Sequence, residues 1–380
     1  MNILMLNYEF PPIGGGGGQA HLNLLRQYAG HKDLRVDVLT CAPQPGFFAE
    51  VLAPNVTVYK VGIRKKDIQF WRRTEVLAWL VKASRHYRRL LRQHDYDLAH
   101  AFFGFPTGWL CYRRADAMPY VLSLRGSDVP GQHGRLKLDY KVLAPVMRAI
   151  WHKASGLVAC SEGLRERALE FVPSAAIEVI PNGVDLERFH PAGGQRYDGQ
   201  RPLHLLSVGR LSMTKRVEML VDAVDVLHKG GVAVRLTVVG GGALEPGLRR
   251  LVADRRMGEW VDLTGRVDAD RMPGLYRQHD VYATATMQEG MSNAMLEAMA
   301  SGLPIVTTRC EGVDELIADN GMVVGPACAE AMAGAIRELA RNPQRLQRMS
   351  QAARQRATRY TWSAVADRYI EYYRQATCVG

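Results

Sequence analysis

The sequence predicts an α/β protein of two doubly wound domains, each a parallel sheet with helices on both faces. Three observations predict it. Short strand-like runs alternate with amphipathic, helix-favouring stretches from Asn2 to Ile180, the pattern of a parallel sheet built from strand–helix units. A stretch rich in Gly, Pro and polar residues, HPAGGQRYDGQRP at 190–202, then interrupts the alternation, and such composition marks a domain boundary. Beyond it the pattern restarts. Leu203–Val208 is a strand and Gly209-Arg210-Leu-Ser-Met-Thr-Lys215 a loop into a helix, repeating the outline of Asn2–Asn7 and the Gly run after it. The expected division is a first domain at 1–190, a linker at 191–202, a second domain at 203–358 and a terminal helix at 359–380.

The chain has 380 residues, 47% of them apolar and 23% charged, enough to bury two separate cores. Met1 leads directly into a strand with no secretory pattern, and no apolar run approaches the roughly 18 residues of a membrane span. The six cysteines are scattered without metal-ligand spacing; Cys41, Cys160 and Cys310 fall near strand ends and read as buried thiols in a reducing, cytoplasmic compartment. The net charge of +11 is concentrated: Lys60–Arg92 holds 11 basic and 2 acidic residues. A local patch of that kind points to an anionic partner such as membrane phospholipid, a diphosphate lipid or an acidic glycan. No recognition module accompanies it, so nucleic acid is not expected.

In order, the first-domain strands are expected at Asn2–Asn7, Arg35–Thr40, Val56–Val61, Asp97–Ala101, Tyr120–Leu124, Leu157–Cys160 and Ile177–Ile180. The Gly run 14–18 after the first strand reads as a loop that brings backbone close to a ligand, though it lacks the spacing of a phosphate-binding fingerprint. His21 follows it, either as a base or as a first-helix residue facing the sheet. From Val76 to Leu91 apolar residues recur at helical spacing with Lys82, Arg85, Arg88, Arg89 and Arg92 between them. This segment reads either as a solvated basic helix or as a docking face for an anionic membrane, with Phe70, Trp71 and Trp79 at the interface. Val121–Leu124 ends in the polar turn Arg125-Gly126-Ser127-Asp128, the place where ligands meet a parallel sheet.

The densest chemistry lies in the second half. Asp280–Thr284 is a strand, Glu289-Gly290-Met291-Ser292-Asn293 a turn with capping residues, then a helix containing Glu297, then the strand Pro304–Thr308. A helix start favours phosphate. Allowing about 1.5 Å of rise per residue and an extended turn, the two carboxylates stand about 10 Å apart. That suits a ligand with a diphosphate in the middle and hydroxyls at both ends, a nucleotide-sugar.

Glu289 to Val306, a Glu-x7-Glu pair followed by a small-residue helix and a Gly-Leu-Pro-Ile-Val strand, resembles the signature of the retaining glycosyltransferases of family 4, which have the GT-B fold of two Rossmann-like domains facing each other across a cleft. The similarity runs through nearly the whole chain. It implies a hexosyl transfer from a nucleoside-diphosphate sugar to a glycan, lipid-linked or small-molecule acceptor in polysaccharide or glycoconjugate synthesis. By the same resemblance, Arg210 and Lys215 clamp the donor diphosphate, neutralising charge on the leaving phosphate. Glu289 holds the sugar, and Glu297 the ribose. Gly15, Gly16, Gly241, Arg266, Val267, Gly290, Met291, Ser292 and Asn293 line the donor. The last helix returns to the first domain. Where the family has His-Gly-x-Asp this chain has Arg125-Gly-Ser-Asp128, so Arg125 and Asp128 are candidates for an acceptor or phosphate contact. By the same resemblance the two cations take the place of a metal at the diphosphate, so neither metal nor cofactor is expected. The rival readings are an inverting transferase or an epimerase of the same fold using His21, and a non-catalytic membrane-surface protein.

Overall fold

The structure, a computed structural model, describes residues 1–378 apart from 66, 69, 132–136 and 195. Two compact units emerge: Met1–Asn182 together with the chain from Trp362 onward, and Gly183–Thr361.

The first unit holds β1 (Asn2–Leu6), β2 (Arg35–Ala42), β3 (Gly46–Ala53), β4 (Val56–Gly62), β5 (Leu98–Phe102), β6 (Tyr120–Leu124), β7 (Gly156–Ala159) and β8 (Ile177–Val179). They form one sheet in the order β3-β4-β2-β1-β5-β6-β7-β8. Its middle strands are continuous apolar runs because both faces are covered; Ile3, Leu4, Met5 and Leu6 are all fully buried. The helix Gly16–Tyr28 covers one face through Ala20, Leu24, Leu25 and Tyr28. The helix Trp362–Cys378 lies in this unit, burying Trp362, Val365, Tyr369, Ile370 and Tyr373. It also completes a buried polar chain. Tyr373 bonds Tyr28 (3.0 Å) and the His100 ring (2.6 Å). The other His100 nitrogen bonds Ser123 (2.7 Å), which bonds Tyr369 (3.0 Å).

The second unit holds β9 (Leu203–Val208), β10 (Val234–Val239), β11 (Val261–Gly265), β12 (Val281–Thr284), β13 (Ile305–Thr308) and β14 (Gly321–Val324), all parallel, in the order β11-β10-β9-β12-β13-β14. This is the doubly wound order that reverses at its middle. The helix Val217–Lys229 packs Val217, Leu220, Val221, Val224 and Leu227, three to four residues apart, onto the sheet.

Four expectations are corrected. First, β3 is an unforeseen antiparallel edge strand on β4, mostly exposed along its length, so it carries no alternation to read. Second, the Gly run is not a loop throughout: the helix begins at Gly16, with Gly15 as its cap. A Cβ on Gly17 would come 2.8 Å from the Phe103 ring and one on Gly18 2.8 Å from the Glu9 carbonyl, so close packing demands these glycines. Third, Trp79 is fully buried, not interfacial, on the inner face of the helix Arg73–Gln93. Lys65 is likewise out of solvent, donating to Glu75 (2.8 Å) and to the Phe70 carbonyl. Lys66, part of the same expected patch, lies outside the described residues. Fourth, the segment read as a linker is lashed to the second unit. Arg196 donates to the carbonyls of His279 and Ser301 (2.6 Å to the latter), and Arg201 makes a two-pronged ion pair with buried Asp280 (2.7 Å each). Gly and Pro here signal irregular backbone, not slack. Residues 183–190 also belong with the second unit, where Arg354 grips the carbonyls of Phe189 and Leu186.

Candidate active site

In a doubly wound sheet the crevice opens at the carboxyl ends of the two strands where the order reverses. In the second unit those strands are β9 and β12. Arg210 and Lys215 follow β9, and Glu289 follows β12.

Lys215 donates from Nζ to Glu289 Oε1, with the two side chains 20% and 18% exposed. Burial, then the neighbouring Arg210 guanidinium, pulls the Lys215 ammonium down to about 8; Arg210 itself is exposed. Three bonds stitch the two loops together. The Met287 amide donates to the Thr214 carbonyl (2.8 Å), Arg216 Nε to the Ala285 carbonyl (2.8 Å), and the Thr286 hydroxyl to the Thr214 carbonyl (3.4 Å). Arg216 is left-handed (φ +45°) and caps the helix Val217–Lys229. Sequence reading gave it no role, because a backbone-pinning arginine has no motif of its own.

The other wall comes from β10 and β11. Gly209-Arg210-Leu211 runs against Gly240-Gly241-Gly242, joined by Leu211 N to Gly241 O (3.0 Å) and Gly209 N to Val239 O (3.0 Å). Gly240 has φ +138°, and a Cβ there would collide with the Gly209 carbonyl, so only glycine permits this approach. A register shift between β10 and β11 and the left-handed Gly265 (φ +71°) precede Arg266. The Arg266 side chain lies over Gly241, within 3.4 Å of where a Cβ would stand. Val267 is half-buried beside it.

The expected helix start is present. Ser292 caps the helix Asn293–Ala300 by accepting from the Met295 amide (3.3 Å), so the positive end of the helix dipole lies beside the Glu289–Met291 turn. Gly290 is half-buried and Met291 buried. One turn in, Glu297 accepts from the Tyr276 hydroxyl (2.9 Å). Burial pushes its carboxyl up to about 7, moderated by that bond and by Arg188. The structure thus brings Arg210, Lys215 and Glu289 to one edge of one sheet, with Glu297 on the adjoining helix. Among the described residues no group of three His, Cys, Asp or Glu side chains is placed to hold a metal ion.

In the first unit the candidates divide. Gly15 has open space around its Cβ position, and Gly16 opens the helix. His21 is fully buried: it pairs with Asn7 (3.2 Å) and stacks on Phe102 (4.3 Å between rings). Burial, reinforced by Arg125, pulls its imidazole down to about 3, the environment of a sheet-facing first-helix residue. Asp128, a sequence candidate for ligand contact, is instead spent on backbone. Its carboxylate accepts from the amides of Gly104 (2.7 Å), Arg125 (2.8 Å) and Gly126 (3.0 Å). It joins the loops after β5 and β6. Arg125 is half-buried, donating to Asn182 Oδ1 (2.5 Å) with its guanidinium 5.3 Å from the Phe102 ring.

Comparison with known proteins places these features. Residues 15–188 match the model described as Glycosyltransferase Family 4, and residues 202–342 that described as Glycosyl transferases group 1. A glycogen synthase of Mycobacterium tuberculosis is 27% identical over 403 aligned residues, covering 98% of this chain and 94% of the relative. The GDP-mannose-dependent alpha-(1-6)-phosphatidylinositol monomannoside mannosyltransferase of Mycolicibacterium smegmatis is 31% identical over 286 residues, covering 70% and 73%. Among solved structures, a sucrose-phosphate synthase from Thermosynechococcus elongatus superposes with a TM-score of 0.86 over all of both chains at 21% identity.

Proposed function

The chain belongs to glycosyltransferase family 4 and has the GT-B fold, and on that premise we propose a retaining enzyme. It moves a hexose from a nucleoside-diphosphate sugar to a hydroxyl of a glycan, a lipid-linked sugar or a small molecule, in polysaccharide or glycoconjugate synthesis. The observation that carries the reading is the placement of Lys215, Arg210 and Glu289 at the reversal point of the second sheet. Two cations there stabilise the departing diphosphate without a metal or other cofactor, because they face the oxygens on which charge develops. Glu289 holds sugar hydroxyls and, through its bond to Lys215, sets the ammonium in place. Glu297 accepts from the ribose hydroxyls, while Gly241, Arg266 and Val267 border the base.

Retention follows from attack on the departing group's own face through an oxocarbenium-like state, the leaving phosphate taking the acceptor proton. The inverting alternative needs a base. His21, the sequence candidate, is fully buried against Asn7 and Phe102, and at about 3 it is too weak a base for the task, which favours the retaining reading.

No helix of the described residues is long and apolar enough to cross a membrane. The proposed site of action is the cytoplasmic face of one, reached through the basic helix of the expected Lys60–Arg92 patch, with Leu77 and Val81 in place of Trp79 as its apolar contacts. Leu77 (56% exposed) and Val81 (60% exposed) share the outer face of the helix Arg73–Gln93 with Arg85, Arg88, Arg89 and Arg92. A groove beside it is lined by Trp109, Arg113 and Arg114. Apolar side chains ringed by arginines suit an anionic lipid surface.

The test is a thermal-shift panel of UDP-, GDP-, ADP- and dTDP-sugars with their bare nucleotides. A ligand at about 100 times its Kd adds about 2.7 kcal/mol of stability, and a shift confined to one base names the donor. The stereochemistry of the product then separates retention from inversion. No shift with any member would overturn the reading.

A further inference from the structure

Two hollows flank the C-terminal half of the helix Arg73–Gln93, and they share a wall. One, of about 480 Å³, is lined by Arg85, Arg88, Arg89 and Arg92. The other, of about 560 Å³, is lined by the same helix and by Trp109, Arg113 and Arg114 at the end of the helix Thr107–Tyr112. Arg85 and Arg88 line both.

All six arginines are exposed, and among the described residues none of them is in an ion pair. Glu75, the one acid in the helix, is buried against Lys65 (2.8 Å), and Asp116, just past the second helix, holds Lys153 (2.8 Å). Like charges three or four residues apart on a helix repel. Arg85–Arg88, Arg85–Arg89, Arg88–Arg92 and Arg89–Arg92 are four such pairs, so the helix is less stable for carrying this cluster, and an anion seated in it would relieve the repulsion. The cluster is also ordered. Arg88 Nε donates to the Ser84 carbonyl one turn back (3.2 Å), and the Arg113 guanidinium lies 5.7 Å from the Trp109 ring.

The apolar part of the surface is placed in line with the charge. Leu77, Val81, Arg85, Arg88 and Arg92 follow one another at helical spacing, so a single stripe passes from exposed apolar residues to arginines along the axis. Leu80 and Val81 reach the second hollow as well. A helix lying flat in an interface puts its apolar and basic residues on opposite faces. A stripe that changes character along its length instead fits one amphiphile, its head among the arginines and its apolar part against Leu77 and Val81.

We propose that the two hollows form one site for a lipid whose head carries two phosphates, one in each hollow with Arg85 and Arg88 between them. This deepens the membrane reading above and rests on it. Guanidinium forks match phosphate oxygens, and joining two phosphates in one head makes the second contact intramolecular.

The test is flotation of the full chain with neutral phospholipid vesicles carrying either cardiolipin, with two phosphates, or phosphatidylglycerol, with one, at equal total phosphate charge. Diffuse attraction follows surface charge and binds both alike. In wild type, half-binding should need about tenfold less of the cardiolipin vesicles, the scale of one further charge-assisted contact. Arg113→Gln with Arg114→Gln removes one hollow, and Arg89→Gln with Arg92→Gln the other. Either pair should bring cardiolipin binding down to the phosphatidylglycerol level while leaving the thermal melt unchanged, because these side chains are exposed. The same pairs changed to Lys keep the charge without the fork and should lose most of the preference. Equal binding of the two vesicles by wild type overturns the proposal and leaves the membrane reading standing. Binding to neither overturns both. A cardiolipin preference that survives the loss of either hollow overturns the two-phosphate site.

Discussion

Lys215→Ala removes one of the two cations assigned to the leaving diphosphate, and its consequences can be worked from the site. Taking away a single preorganised donor aimed at developing charge costs about 10²–10³ in rate, roughly 2.7–4 kcal/mol. The fold loses less. With the partners 20% and 18% exposed, the Glu289 carboxylate left behind is reached by water, and the cost is about 1–3 kcal/mol. The variant should therefore remain folded and melt a few degrees early while turning over at least a hundredfold more slowly. Charge state gives a second readout. The ammonium titrates at about 8, and its useful form is the protonated one, present below that value. Wild-type kcat/KM should fall as pH rises through about 8, and the variant should lack that limb. The assay is nucleoside-diphosphate release from the donor found in the panel, followed from pH 6 to 10. A variant within about threefold of wild-type kcat/KM, or one with the same alkaline limb, would refute the diphosphate-clamp assignment.

Glu297 has its carboxyl at about 7, so the ionised acceptor of ribose hydroxyls exists above that pH; nucleotide affinity by calorimetry should weaken as pH drops below about 7, and Glu297→Gln should be weak and pH-independent. Arg201→Ala strands Asp280, which is 1% exposed and among the described residues keeps the His204 amide; stability measured by urea unfolding should drop by about 1–3 kcal/mol even though the arginine itself is 39% exposed. Replacing Arg85, Arg88, Arg89 and Arg92 by Gln should release the protein from anionic vesicles in a flotation assay, at about 1 kcal/mol per residue, and unchanged binding would return that face to solvent.

What the sequence disclosed was whatever has a period or a motif. A continuous apolar run such as Ile3–Leu6 announced a buried parallel strand, and the spacing from Glu289 to Val306 announced the turn, capped helix and strand that the fold contains. Ser292 was legible as a cap because a hydroxyl just before an apolar helix has few other uses. Exposed β3 was not, because a strand solvated along most of its length has no face to alternate. Nor was the fate of individual charges. Lys65 and the exposed arginines of the helix Arg73–Gln93 look alike in a list of basic residues, yet one is sealed against Glu75 and the others face water. Asp128 shows the same limit at the site: a carboxylate in a Gly turn reads as a ligand group until the three amides that occupy it are seen.

The last helix bears on the order in which the molecule is made. The second unit is one uninterrupted stretch, Gly183–Thr361, whereas the first is assembled from both ends of the chain. As synthesis proceeds, the first sheet emerges early but waits for Tyr369 and Tyr373 to answer His100 and Ser123. Until then a polar pair lies bare in an apolar face. The unit translated second is thus able to finish first, and the nascent first unit is the part for which chaperone protection matters. A chain stopped at Thr361 would keep a foldable second unit beside a first one that stays a client of the quality-control machinery.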